Sequence, residues 1–154
     1  MGEPRSRARR ALVLAAVGLV VAVVAFVLGV AWPNYRDMAL QAKAAEVPAN
    51  VEAIRAAEQA HIAAHGRPLA AGPAPVGVDA LRPNPQPWPP GTSFDTLGWA
   101  PEGPVRGTYA VRLTEDGSGF VVHGWIDGDG DGVPAHFTAT GDRPVERQTG
   151  RRVY

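Results

Sequence analysis

Twenty-two consecutive residues, 11–32 (ALVLAAVGLVVAVVAFVLGVAW), include only Gly18 and Gly29 from outside the apolar set, and no charge follows until Arg36. As an α-helix rising ~1.5 Å per residue the run is ~33 Å long, against a bilayer hydrocarbon core of ~30 Å. A helix that is apolar on every face must be covered on every face, and a chain of 154 residues has little surface with which to do it. Lipid covers it without any such demand. Arg5, Arg7, Arg9 and Arg10 stand before the run against a single Glu3. The positive-inside rule therefore makes residues 1–10 a basic cytoplasmic tail, residues 11–32 a single transmembrane helix and the remainder an exported segment. Trp32 and Tyr35 fall where an aromatic belt anchors the outer interface. A cleaved secretory signal is the rival reading, because Gly29-Val30-Ala31 loosely matches a small-x-small cleavage site. Signal cores are usually ~7–15 residues, shorter than this one, so an uncleaved anchor is expected.

After the first ten residues 11 basic and 14 acidic side chains remain, a mildly acidic balance that exerts no pull on nucleic acid. The absence of cysteine excludes thiolate nucleophiles, thiolate metal sites and disulfides together. With 18 glycines and 15 prolines, helix cannot cover most of the chain. Residues 33–65 nevertheless carry one apolar stripe, Val47, Val51, Ile54, Ala57 and Ile62, at spacings near three and four. Arg36, Asp37, Lys43, Glu46, Glu52, Arg55 and Glu58 take the other faces, which predicts an amphipathic helix continuing outward. Pro48 predicts a kink or short melted stretch near residues 46–49, and Gly66 with Pro68 predicts the end. Residues 66–106 hold 10 of the 15 prolines, so regular structure is not expected there. Leu69, Leu81, Trp88, Phe94, Leu97 and Trp99 are too apolar for a free linker and predict a loop packed on the domain. Within residues 107–154 the period falls to two. Residues 108–113, with Tyr109, Val111 and Leu113 on one face, residues 119–126 and residues 134–140 predict three antiparallel strands joined by turns at Glu115–Ser118 and Asp127–Gly132. The expected class is α+β: a long N-terminal helix, transmembrane then amphipathic, packed on a small antiparallel sheet.

One motif carries chemistry. Asp127, Asp129 and Asp131 alternate with glycines, and a turn can fold the three carboxylates round one hard cation. Calcium is expected, since it takes six to eight oxygens in irregular geometry. The EF-hand pattern needs Glu where Thr138 stands, so this is a different loop; Asp142 or Glu146 are candidate further ligands. The rival reading is an unmetallated turn, because Asp-Gly pairs are strong turn formers. His61 and His65 share a helix face at zinc spacing, but no third ligand is evident and a solvated helix end near the negative dipole accounts for them. His123 and His136 are placed across neighbouring strands, an ordinary cross-strand pair. Trp88, Trp99 and Trp125 read as packing. Arg147, Arg151 and Arg152 read as a solvated basic tail. Serine occurs only at Ser6, Ser93 and Ser118, outside any nucleophile motif. No enzyme is expected.

The basic leader, the apolar helix, the junction Ala31-Trp32-Pro33-Asn34-Tyr35, the helix ending in Glu52-Ala53-Ile54-Arg55-Ala56-Ala57-Glu58-Gln59-Ala60 and the small sheet together resemble type IV pilins and pseudopilins. FDTLGWAPEGPVRGTYAV and GWIDGDGDGVPAHFTAT resemble stretches of pilin-like proteins from myxobacteria and their relatives. The resemblance implies an inner-membrane subunit whose helix packs with other pilin-like subunits or with assembly machinery while the sheet faces outward. Some pseudopilins carry calcium near the end of the sheet, which is where the Asp-rich turn falls. Aligned on Pro33, however, the family's cleavage glycine falls near Ala11-Leu12 and its acidic residue near Ala16, and neither is present. An accessory or divergent member retained in the membrane is therefore expected. The alternative is a membrane-tethered periplasmic module that binds calcium or another ligand and does not polymerise.

Overall fold

A computed structural model describes residues 4–154. The first three residues of the expected cytoplasmic tail, and the side chains of residues 4–7, lie outside the described residues. The chain divides into two compact units, Met1–Ala39 and Leu40–Tyr154.

The first unit is helical: α1 (Pro4–Phe26), a π-helical turn (Val27–Ala31) and the first part of α2 (Trp32–Ala44). Alanine, valine and leucine sustain α1 because none offers the backbone a competing hydrogen bond. At the π turn the Trp32 N–H bonds the carbonyl of Val27, five residues back, so one extra residue is accommodated in the helical ladder. Every described side chain from Ala8 to Met38 is exposed, among them Leu12 at 74% and Phe26 at 61%.

The second unit begins with the end of α2 and turns at Ala45 into α3 (Glu46–His65). The expected interruption falls one residue earlier than residues 46–49, which are helical. The cause is positional. A proline removes the bond to the carbonyl four residues before it, here Ala44, whereas Pro48 itself lies in the first turn of α3, where no intrahelical N–H bond is due. Gly66 ends α3 in the left-handed conformation, φ 75°, and its N–H reaches the Ile62 carbonyl at 2.8 Å. The predicted stripe is the buried one: Val47, Val51 and Ile54 are fully buried, and Ala57 and Ile62 pack against the core. Glu58 corrects the reading. Placed on the polar faces by its charge, it is fully buried, because it follows Ile54 by one turn on the same stripe.

Five antiparallel strands form a meander in the order β1 (Ala71–Ala74), β2 (Thr108–Leu113), β3 (Phe120–Ile126), β4 (Ala135–Thr140) and β5 (Glu146–Arg147). The middle three are those predicted, within a residue at each end. Tyr109, Val111, Phe120, Val122, Ile126, Ala135, Phe137 and Ala139 alternate onto the face that α3 covers, while Leu113 is exposed at the strand end. Gly124 lies directly beneath the helix. A Cβ there would stand 2.5 Å from Val51 Cγ2 and 2.6 Å from Val47 Cγ1, so the missing side chain sets how closely α3 approaches the sheet.

The proline-rich stretch packs as expected but is more regular than expected. It contributes β1, a 3-10 turn (Val78–Ala80), the short α4 (Ser93–Thr96) and a bridge between Gln86 and Val105. Pro73 is tolerated because β1 is an edge strand with one side free of ladder bonds. Leu81, Phe94, Leu97 and Val105 are buried. Trp88 meets Trp99 and Phe94 edge-to-face at 5.3 and 5.4 Å, the packing role expected of both tryptophans.

Candidate functional site

The Asp-rich turn joins β3 to β4. Asp127, only 6% exposed, directly follows β3 with its carboxylate turned into the loop: Oδ1 accepts the Gly130 N–H at 2.8 Å and Oδ2 the Gly132 N–H at 3.1 Å. Both glycines hold positive φ, 78° and 82°, a conformation that brings their N–H groups round to one carboxylate. The pattern repeats along the turn, with the Asp129 carboxylate accepting the Asp131 N–H at 3.4 Å and the Asp131 carboxylate the Val133 N–H at 2.8 Å. The Gly128 N–H donates to the Tyr154 carbonyl at 2.8 Å, which ties the loop to the tail.

The curl brings one oxygen from each of Asp127, Asp129 and Asp131 within 4.8 Å of the others. A carboxylate oxygen has two lone pairs, so the backbone bonds leave acceptor capacity at all three residues. An all-oxygen donor set of three negative groups fits a hard divalent cation, Ca2+ before a transition metal. Asp79 was not anticipated here. It lines, with Arg82 and Asp127, a cleft of about 400 Å3 beside the loop. Asp142 and Glu146 do not join the group: the Asp142 carboxylate instead accepts the Thr140 hydroxyl at 2.6 Å.

On the sheet face opposite α3, residues of odd number on β3 and even number on β4 meet. His123 Nδ1 stands 3.0 Å from His136 Nε2, and Trp125 stacks on both imidazoles, with centroids 5.2 and 4.9 Å away and ring planes within 5°. Partial burial, then the neighbouring His136 and Arg112, hold the His123 imidazole down at about 4. Burial and Arg112 lower His136 as well. That the two histidines stand on neighbouring strands was legible; the register that sets His136 opposite Trp125, and the Trp125 stack over both, were not.

The remaining candidates make local contacts. His61 and His65 stack at 4.2 Å, and His65 Nδ1 lies 3.1 Å from the His61 carbonyl. The Ser93 hydroxyl accepts the Gly72 N–H at 3.1 Å, and that of Ser118 donates to Asp116 at 2.6 Å. Fold and exposure together define a class: an α+β unit preceded, among the described residues, by one helix long and apolar enough to cross a membrane. No family model, curated protein or solved structure matches the chain, so a narrower reading has to rest on residues and geometry.

Proposed function

We propose that the chain is a single-pass inner-membrane protein, N-terminus cytoplasmic, whose exported α+β unit serves as a pilin-like structural subunit of a pilus or pseudopilus-type assembly. The observation that supports the reading is the exposure of the apolar run. None of the most apolar 18-residue window of the helix is buried within the fold, and each large aliphatic side chain gains about 1.5–3 kcal/mol on leaving water. That surface needs lipid or the helices of neighbouring subunits to cover it. The run also carries no charge, so lipid holds it without the cost of an intramembrane carboxylate. Partners on this reading are membrane lipid, other pilin-like subunits and assembly machinery, and Ca2+ bound by Asp127, Asp129 and Asp131 would stiffen the turn at the end of β3.

Cell fractionation tests the proposal. Immunoblots and electron microscopy of sheared surface fractions are expected to find the chain in filaments, with a second pool in the inner membrane. Confinement to the inner membrane would instead establish the tethered, non-polymerising module. A freely soluble mature protein starting near Trp32 would overturn both readings.

A further inference from the structure

We propose that His123 and His136 form a chelating site for a divalent transition metal, with Cu2+ the preferred ion, on the outer face of the sheet. Strand alternation puts the two residues on that face. Gly124 faces α3, so its neighbours His123 and Trp125 face the other way. β4 is registered with Trp125 opposite His136 and His123 opposite Thr138, which makes the two histidines diagonal neighbours on one face.

Their facing nitrogens are 3.0 Å apart. Two metal–nitrogen bonds of about 2.0–2.1 Å span that separation at an angle of roughly 95°, nearer the right angle of a tetragonal site than the tetrahedral angle of a structural zinc. Divalent copper combines that geometry with the highest affinity for imidazole among the first-row divalent ions. The near-linear contact between the rings must open by a modest turn of one imidazole to admit the ion. The proton shared in the apo pair moves to the outer nitrogen of its ring, so both facing nitrogens present lone pairs and binding releases no proton.

The neighbours shape the site in two ways. The Trp125 indole packs on both rings, its plane 5° and 4° from theirs, which limits the rotamers the imidazoles can adopt and places a fluorophore beside the ion. All three rings are only partly buried, so the ion has access from solvent and water completes its coordination. Arg112, on β2 opposite Val121, belongs to the same outer face. Its cation opposes a divalent ion and keeps the affinity moderate.

The test uses the untagged full-length chain in detergent micelles, titrated with CuCl2, NiCl2 and ZnCl2 in a non-coordinating buffer at neutral pH. One Cu2+ per chain is expected, bound more tightly than Ni2+ or Zn2+, with quenching of tryptophan fluorescence and an electron paramagnetic resonance signal split by nitrogen. His123→Ala and His136→Ala should each weaken Cu2+ binding roughly tenfold or more, and Arg112→Ala should strengthen it. The double variant His61→Ala/His65→Ala should bind as the parent does. Trp125→Phe should keep the stoichiometry while losing most of the quenching, a readout that a misfolded variant would not give. Equal copper uptake by the parent and the His123→Ala/His136→Ala variant, or no uptake by the parent, would overturn the proposal.

Discussion

Gly124→Ala tests the contact between helix and sheet on which the second unit is built. The added methyl would meet Val51 Cγ2 at 2.5 Å and Val47 Cγ1 at 2.6 Å. Both valines are fully buried, so neither can swing into solvent, and α3 or β3 must move instead. Overpacking of this kind costs about 1–3 kcal/mol. With ~2.1 cal/mol/K of unfolding entropy per residue, a unit spanning Leu40–Tyr154 should lose about 4–12 °C in Tm. The assay is thermal unfolding of the purified chain in micelles, followed by tryptophan fluorescence, since Trp88 and Trp99 pack on the same core. Gly77→Ala is the control. A Cβ there meets nothing within 4 Å, and φ is −66°, so Tm should hardly change. Val51→Ala removes one of the clashing methyls and should make Gly124→Ala cheaper in its background, with a coupling energy of at least about 0.5 kcal/mol. A Gly124→Ala protein that melts with the parent, or a strictly additive double variant, would refute the close-approach argument.

Three further substitutions bear on carboxylates of the second unit, of which Glu58 and Asp127 are buried and Asp129 exposed. Burial holds the Glu58 carboxyl above its ordinary 4.5, only partly offset by the Leu69 N–H bond, so the folded state favours the protonated form and stability falls as pH rises past the ordinary glutamate range; Glu58→Gln should melt higher than the parent at neutral pH and lose that dependence, whereas an unchanged pH profile would show that Glu58 is not the group responsible. In the Asp-rich turn, Asp127→Ala should lower Tm with or without Ca2+ because it orphans the Gly130 and Gly132 N–H groups, while Asp129→Ala should matter only when Ca2+ is present; a parent Tm indifferent to Ca2+ would leave the loop a turn alone.

What the sequence made legible was whatever has a period. The stripe Val47, Val51, Ile54 located α3, and alternation located β2, β3 and β4, because burial on one face imprints its own repeat on the chain. Glu58 occupies a position in that stripe, but its charge points to the polar faces; the spacing, not the residue type, matches its burial. β1 left no trace: four residues containing a proline acquire their extended form from the edge of β2, not from any pattern of their own. The outer face of the sheet was legible only in halves, because His123 and Trp125 show their alternation along β3 but nothing in β4 states its register.

That register follows from the Asp-rich turn. The turn pairs Ile126 with Ala135 and so brings His136 opposite Trp125, and a slip of one residue would turn His136 towards α3. Asp127 holds the turn closed through two backbone bonds without touching either imidazole. Asp127→Ala should therefore weaken Cu2+ binding at His123 and His136, whereas Asp129→Ala, whose single loop bond is long at 3.4 Å, should leave it near the parent value. Copper titration of the two variants in the absence of Ca2+ separates the cases. Equal affinity in both would mean that the strand pairing itself fixes the register and that the loop merely follows.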